Sequence, residues 1–295
     1  IDFVPAMFFL QKRTRLRIMK DGKRGDAMFG AIYGDVIGSY YEVHCTKAYD
    51  FPLMAESSFT DDSVLIAAVC RAILDDPQPI SRLGLGKRAC VYAAKYRQYY
   101  AYFPHAGFGN LFAAWASHPG TRNGHSYGNG AAMRLIPIGY AYDTMEQTLL
   151  QAKASCLPTH NNREANTGAQ AAAAAVYLAR HGTGKAQTRS FVEKRFHYDL
   201  SPTLAAIRPS YVFDSRASYS VPPALIAFLE SNDYESAIRG AISLGGDADT
   251  QACIAGGIAE AYYGEIPDSI RQFCSMKIDF SIKSAVRDFC AAYKL

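Results

Sequence analysis

The chain has 295 residues, 49% of them hydrophobic, with 20 Tyr and 16 Phe beside a single Trp; this is ample apolar material for a large core and excludes a disordered composition. Its net charge of +4 is concentrated, because residues 1–26 carry seven basic and three acidic side chains, leaving 24 of each in the remainder. A balanced body argues against a nucleic-acid-binding surface. The order of Val4–Leu10 before Lys12–Lys20 is the reverse of a secretory signal and too short to span a bilayer.

Residues 1–26 therefore read as a basic N-terminal extension, and 27–295 as one domain with no linker, repeat or low-complexity tract. In chain order, Ala-rich composition and a helical apolar period predict helices over 60–75, 88–101, 130–142, 144–155, 165–181, 186–195, 222–231, 233–243, 249–263 and 282–293. The run Ala171–Ala175 removes the bulk that separates helices and marks a central one. Pro, Gly, Asn and Ser collect in predicted loops at 76–87, 103–107, 117–129, 157–164 and 208–222. Alternating β-branched runs are almost absent, so the expected fold is all-α: a single compact multi-helix domain. Seven scattered Cys without a C-x-x-C pair fit mostly buried, reduced thiols in a cytoplasmic protein, and a monomer is the default expectation.

Five segments carry polar chemistry. Gly30-Ala31-Ile32-Tyr33-Gly34-Asp35-Val36-Ile37-Gly38 spaces its glycines by four, a helix-packing face, and Glu42 is expected just past that helix on a loop. Phe59-Thr60-Asp61-Asp62-Ser63 opens the apolar helix from Val64; Thr60 is a good N-cap and two carboxylates suit the first turn, yet their mutual repulsion asks for a cation. Ser126-Tyr127-Gly128-Asn129-Gly130 ahead of a helix reads as a plain loop or as an anion cradle of backbone N–H groups with Tyr127 placed to stack on a base. In Pro158-Thr159-His160-Asn161, His160 is a core or capping residue or a donor to phosphate or ribose. Leu244-Gly245-Gly246-Asp247-Ala248-Asp249-Thr250-Gln251 places an Asp-x-Asp and a hydroxyl at a helix start, hard oxygen ligands for Mg²⁺ or Mn²⁺. An EF-hand is excluded, since its glycine and final glutamate positions hold Ala252 and Ile258. The two acidic clusters lie about 185 residues apart; if they meet in space, they form a two-metal site.

These segments in this order resemble the ADP-ribosylglycohydrolase family, over about Gly30 to Gly264: G-A-I-Y-G-D-V-I-G-S-Y-Y-E, F-T-D-D-S, S-Y-G-N-G-A-A-M-R, T-H-x(7)-G-A and G-G-D-A-D-T. His125 departs from the small residue expected there. The resemblance implies an all-α fold with two Mg²⁺ ions (or Mn²⁺) in a cleft, held by Thr60, Asp61, Asp62, Asp247, Asp249 and Thr250. It implies Glu42 as a catalytic group, with Asp62 the other candidate for activating water, and Ser126, Tyr127, Gly128, Asn129 and His160 as contacts to ADP-ribose. The implied partners are an ADP-ribosylated protein substrate and the ADP-ribose product, with neither nucleic acid nor membrane. Arginine-linked ADP-ribose is the first expectation for the acceptor, and serine-linked ADP-ribose, a small ester or a polymer is the alternative. A catalytically silent ADP-ribose-binding or structural protein is the reading of a different class, and a two-metal phosphohydrolase is a third.

Overall fold

A computed structural model describes residues 27–120 and 124–295; the basic extension expected over 1–26 lies outside the described residues. In chain order the helices are α1 (Gly30–Val43), α2 (Asp61–Asp75), α3 (Leu85–Tyr102), α4 (Asn110–Ser117), α5 (Gly130–Met133), α6 (Ile136–Ala141), α7 (Met145–Cys156), α8 (Arg163–Arg180), α9 (Lys185–Phe196), α10 (Leu204–Ile207), α11 (Ala217–Glu230), α12 (Tyr234–Ile242), α13 (Ala248–Tyr263), α14 (Asp268–Ser275) and α15 (Phe280–Tyr293). Among the described residues there is no strand; two isolated bridges, His125 with His160 and Gly128 with Arg216, pin the loop before α5. None of these helices is long and apolar enough to cross a membrane.

Small residues decide which helices sit at the centre. Ala171–Ala175 of α8 are all fully buried, and α5, α6, α7, α11 and α13 pack around that helix. The closest pair is α1 with α13. A Cβ added to Gly38 would lie 2.5 Å from the Asp249 Cα, and one added to Gly30 would lie 2.8 Å from the Gly256 carbonyl oxygen. The glycine face predicted from the spacing of four thus puts two backbones in direct contact. At the start of α1 no side chain caps the helix from within; instead buried Glu260 of α13 accepts the Gly30 N–H at 2.6 Å.

Three local differences from expectation have physical reasons. The helix expected over 130–142 is two pieces, α5 and α6, interrupted at Arg134–Leu135, with Pro137 in the first turn of α6. A proline there lacks the N–H a continuous helix needs and fits a new helix start. The loop expected over 208–222 ends earlier, because α11 runs from Ala217 through Pro222 and Pro223. Pro223 has no N–H to offer the Tyr219 carbonyl, and the Tyr211 hydroxyl donates to that oxygen instead at 3.1 Å. Helices α4, α10 and α14 were not expected; α14 buries only Ile270 and Cys274, too few positions to show a period. Cys70, Cys156, Cys253, Cys274 and Cys290 are buried free thiols, whereas Cys45 and Cys90 are exposed.

Candidate active site

The first acidic cluster is organised by Thr60, the extended residue that caps α2 by accepting the Asp62 N–H at 3.4 Å. Its hydroxyl donates to Asp35 Oδ1 of α1 at 2.7 Å. Asp35 Oδ2 accepts the backbone N–H groups of Thr60 (3.0 Å) and Ser63 (3.2 Å) and also the Ser63 hydroxyl. One fully buried carboxylate therefore ties the start of α2 to the middle of α1.

The second cluster is turned into place by Gly245 and Gly246, whose φ angles of +68° and +87° belong to the left-handed region that favours glycine. Asp247 begins α13 without capping it, so its side chain is left for the cleft. Thr250 donates from its hydroxyl to Asp62 Oδ2 at 3.2 Å, and the Thr60 hydroxyl lies 3.4 Å from Asp249 Oδ2. The two clusters, distant in sequence, thus meet. Carboxylate oxygens of Asp35, Asp62 and Asp249 all fall within 4.8 Å of one another, as do those of Glu42, Asp247 and Asp249.

The electrostatics of this junction are one-sided. Burial first, then neighbouring carboxylates, raises Asp62 and Asp249 well above the usual range, and Asp61 to about 8. Glu42 is raised to about 7 by burial of its carboxyl, then by Asp247 and Asp35. Asp35 is also raised by burial, against the pull of its hydrogen bonds from Ser63 and Thr60. Among the described residues, no cationic side chain is a leading influence on any of the five, and Asp62 Oδ1 is buried without a partner. A donor set made only of oxygen, with like charges and an orphaned acceptor, fits a hard divalent cation.

Of the residues singled out from the sequence, the structure brings together Glu42, Thr60, Asp62, Asp247, Asp249 and Thr250. Asp61 sits half-buried at the edge, outside both compact sets. Glu42 is not past the helix but in the last turn of α1; the residue is exposed overall, yet its carboxyl turns inward to within reach of Asp247 and Asp249. Asp35 was not singled out from the sequence. Its signal was an acidic residue on the glycine-spaced stretch, seven positions before Glu42 and so on the same helical face.

The Ser126–Gly130 loop differs from the cradle envisaged. Its N–H groups at Ser126, Gly128 and Asn129 are committed to Thr159 O (3.2 Å), Ser126 Oγ (3.1 Å) and Ser215 O (2.7 Å), and α5 behind it has only four residues. Asn129 is buried, donating from Nδ2 to Asp247 Oδ2 (2.8 Å) and Ser220 Oγ (2.9 Å). It joins the loop to the acidic junction. Tyr127 is 56% exposed beside a cavity of about 420 Å³ that is also lined by Asn162, Arg163, Glu164, Thr167, Tyr198 and Ser218. His160 is buried at 4% exposure, with Nδ1 2.7 Å from Thr159 Oγ1. A second cavity of about 540 Å³, between Tyr198, Tyr211 and Pro222, touches none of the junction's carboxylates.

The sequence model of the ADP-ribosylglycohydrolase family matches residues 21–292. ADP-ribosylhydrolase ARH3 of Homo sapiens is 26% identical over 83% of this chain and 87% of its own length; ARH3 of Gallus gallus is 29% identical over 74% of each. An ADP-ribosylarginine hydrolase of Pseudomonas putida is 28% identical over 46% of this chain and 38% of its own length. A solved ADP-ribosylglycohydrolase-related protein complex shares the fold, with TM-score 0.59, 23% identity and coverage of 90% of this chain and 97% of that one. With a family match running from before α1 into α15, the chain belongs to the ADP-ribosylglycohydrolases, hydrolases of glycosidic bonds to ADP-ribose.

Proposed function

We propose that this chain removes ADP-ribose from modified protein side chains, arginine first, in a reaction that depends on Mg²⁺. The observation that carries the reading is the junction itself: carboxylates from α1, α2 and the start of α13 converge, raised by burial and by one another's charge, in a member of this family. Asp35, Asp62, Asp247 and Asp249 would hold two Mg²⁺ ions (Mn²⁺ in their place), with the Thr60 and Thr250 hydroxyls and Asp61 beside them. Bound there, the ions supply Lewis-acid polarisation and an anchor for ribose hydroxyls.

The chain's own groups then divide the work. Cleavage of a glycosidic bond passes through an oxocarbenium-like state, whose developing positive charge nearby carboxylates stabilise. Asp62 is 1% exposed and engaged by Thr250, which suits a ligand. Glu42 is the exposed member of the group, and it takes the proton from the attacking water. Tyr127 and His160 face the ADP portion, with Ser126, Gly128 and Asn129 shaping the loop that carries them.

Arginine is placed first because one relative bears that specificity in its name, though over less than half of this chain. Serine-linked ADP-ribose is the alternative acceptor, since the longer-matching relatives are called ADP-ribosylhydrolases without a residue. The proposal takes the enzyme as a cytoplasmic monomer. The test is release of free ADP-ribose from arginine- and serine-modified peptides, with Mg²⁺ and with EDTA. Mg²⁺-dependent release from the arginine peptide is expected. Release from serine alone changes the acceptor. Tight ADP-ribose binding without release from either would support a binding protein, and phosphate release from nucleotides would support a phosphohydrolase.

A further inference from the structure

Arg134 is fully buried, and its guanidinium stacks 4.3 Å from the Tyr96 ring centroid with no carboxylate paired to it among the described residues. Its Nη2 donates to Thr159 Oγ1 at 2.8 Å and to the Ser155 carbonyl at 3.1 Å. Thr159, 3% exposed, lies 2.7 Å through the same Oγ1 from His160 Nδ1. Neither the Arg134 nor the Thr159 side chain has a role in the function proposed above.

A guanidinium can only donate, so Thr159 Oγ1 is an acceptor towards Arg134. Its own hydroxyl hydrogen then needs an acceptor, and the one within reach among the described residues is His160 Nδ1. The opposite assignment, with Nδ1–H donating to the threonine, would leave a buried hydroxyl hydrogen unsatisfied. We infer that Arg134 and Thr159 are positioning residues that hold His160 as the neutral tautomer with its proton on Nε2, aimed as a donor at the ligand loop. Burial and the adjacent Arg134 charge both keep the ring from becoming an imidazolium, lowering its pKa well below the usual value.

The ring's other nitrogen is where a donor would be used. A Cβ built on Gly130 would lie 3.5 Å from His160 Nε2, and one on Gly128 would lie 3.7 Å from it. Nε2 thus sits against two residues that present no side chain, with no hydrogen-bond partner among the described residues. It fits an oxygen acceptor such as a diphosphate oxygen or a ribose hydroxyl; this last step rests on the assignment of the loop to ADP-ribose. With three of the loop's N–H groups already bonded within the protein, a fixed side-chain donor has added value there.

The test is a pair of readouts on the full chain. Two-bond ¹H–¹⁵N NMR of histidine-labelled protein reports the His160 tautomer, the signal being assigned by its loss in His160→Gln. Calorimetry with free ADP-ribose reports affinity. Wild type should show the Nε2–H tautomer. Thr159→Val should shift it towards Nδ1–H and weaken ADP-ribose about three- to tenfold, the scale of one hydrogen bond, while Thr159→Ser should restore both. A wild-type Nδ1–H or imidazolium form overturns the inference, as does a Thr159→Val protein with unchanged tautomer and affinity. If Thr159→Val does not fold, the wild-type tautomer and Thr159→Ser still decide. An Nε2–H tautomer in a chain that does not bind ADP-ribose would leave the relay standing and sink the assigned ligand.

Discussion

The two ends of the α1–α13 contact each bury carboxylate, and they treat it in opposite ways. At one end Glu260 accepts the Gly30 N–H and feels Arg271 as well as the amides of Met28 and Phe29, so an acid serves a helix start that lacks its own cap. At the other end Asp62, Asp249 and Glu42 feel chiefly burial and the surrounding carboxylates, Asp247 acting on all three. Glycine holds α1 and α13 at backbone distance; one end of their contact carries a structural acid whose partners are in the fold, and the other end, with Asp62 of α2 laid against it, carries the acids to which the proposed function assigns a cation.

The largest expected effect breaks the second end. Asp249→Asn should lower turnover roughly 10²–10³-fold or more, the scale of losing a main electrostatic element, with weaker Mg²⁺ binding by calorimetry. Unchanged activity would remove the cation from the account. Glu42→Gln should lower kcat by roughly 10²–10⁴-fold while leaving ADP-ribose affinity intact, as loss of a general base does; equal losses in binding and rate would instead make it a ligand-holding residue.

Gly38→Ala tests the contact that both ends share. Its new methyl would meet the Asp249 Cα at 2.5 Å, so a loss of about 1–3 kcal/mol is expected from overpacking, together with lost activity. A melt that falls while rate holds would show that the site tolerates helix separation. The smallest effect belongs to Glu260→Gln, which still offers an oxygen to Gly30 and should keep turnover within about threefold. Its pH dependence sharpens the contrast. Burial raises Glu260 to about 7 from 4.5, so wild type is favoured below pH 4.5 and loses that contribution as pH rises through 7. In EDTA, the stability difference between wild type and Glu260→Gln should shift against wild type across that window, and a flat difference would show Glu260 ionising normally.

Much of the junction was legible because oxygen donors and helix starts share residue types. Thr60-Asp61-Asp62 announces itself as a cap and Asp247-Ala248-Asp249-Thr250 as a helix start, each before an apolar stretch, and the doubled carboxylate is the oddity. Asp35 was not legible, since a single acid within an apolar, glycine-spaced helix looks ordinary until α2 and α13 are laid against it. Glu42 was misplaced by two residues, because no Pro or Gly marks the end of α1 at Val43. The loop amides misled for a related reason: whether an N–H is available depends on Thr159 and Ser215, which are remote in sequence. Arg134 stood in plain view in the motif, yet its neighbour Thr159 lies on a different segment, and only folding pairs them.

The Asn129 amide holds Asp247 with one hand and Ser220 with the other. Under the proposed function, recognition and reactivity are therefore not separate modules in this protein. A drift in the loop towards a new ligand would pull on an acid of the proposed reaction centre, so changes of specificity here should arrive with a penalty in rate unless α11 changes in step. An engineer grafting another loop between Gly124 and Gly130 would need to carry that one side chain across unchanged.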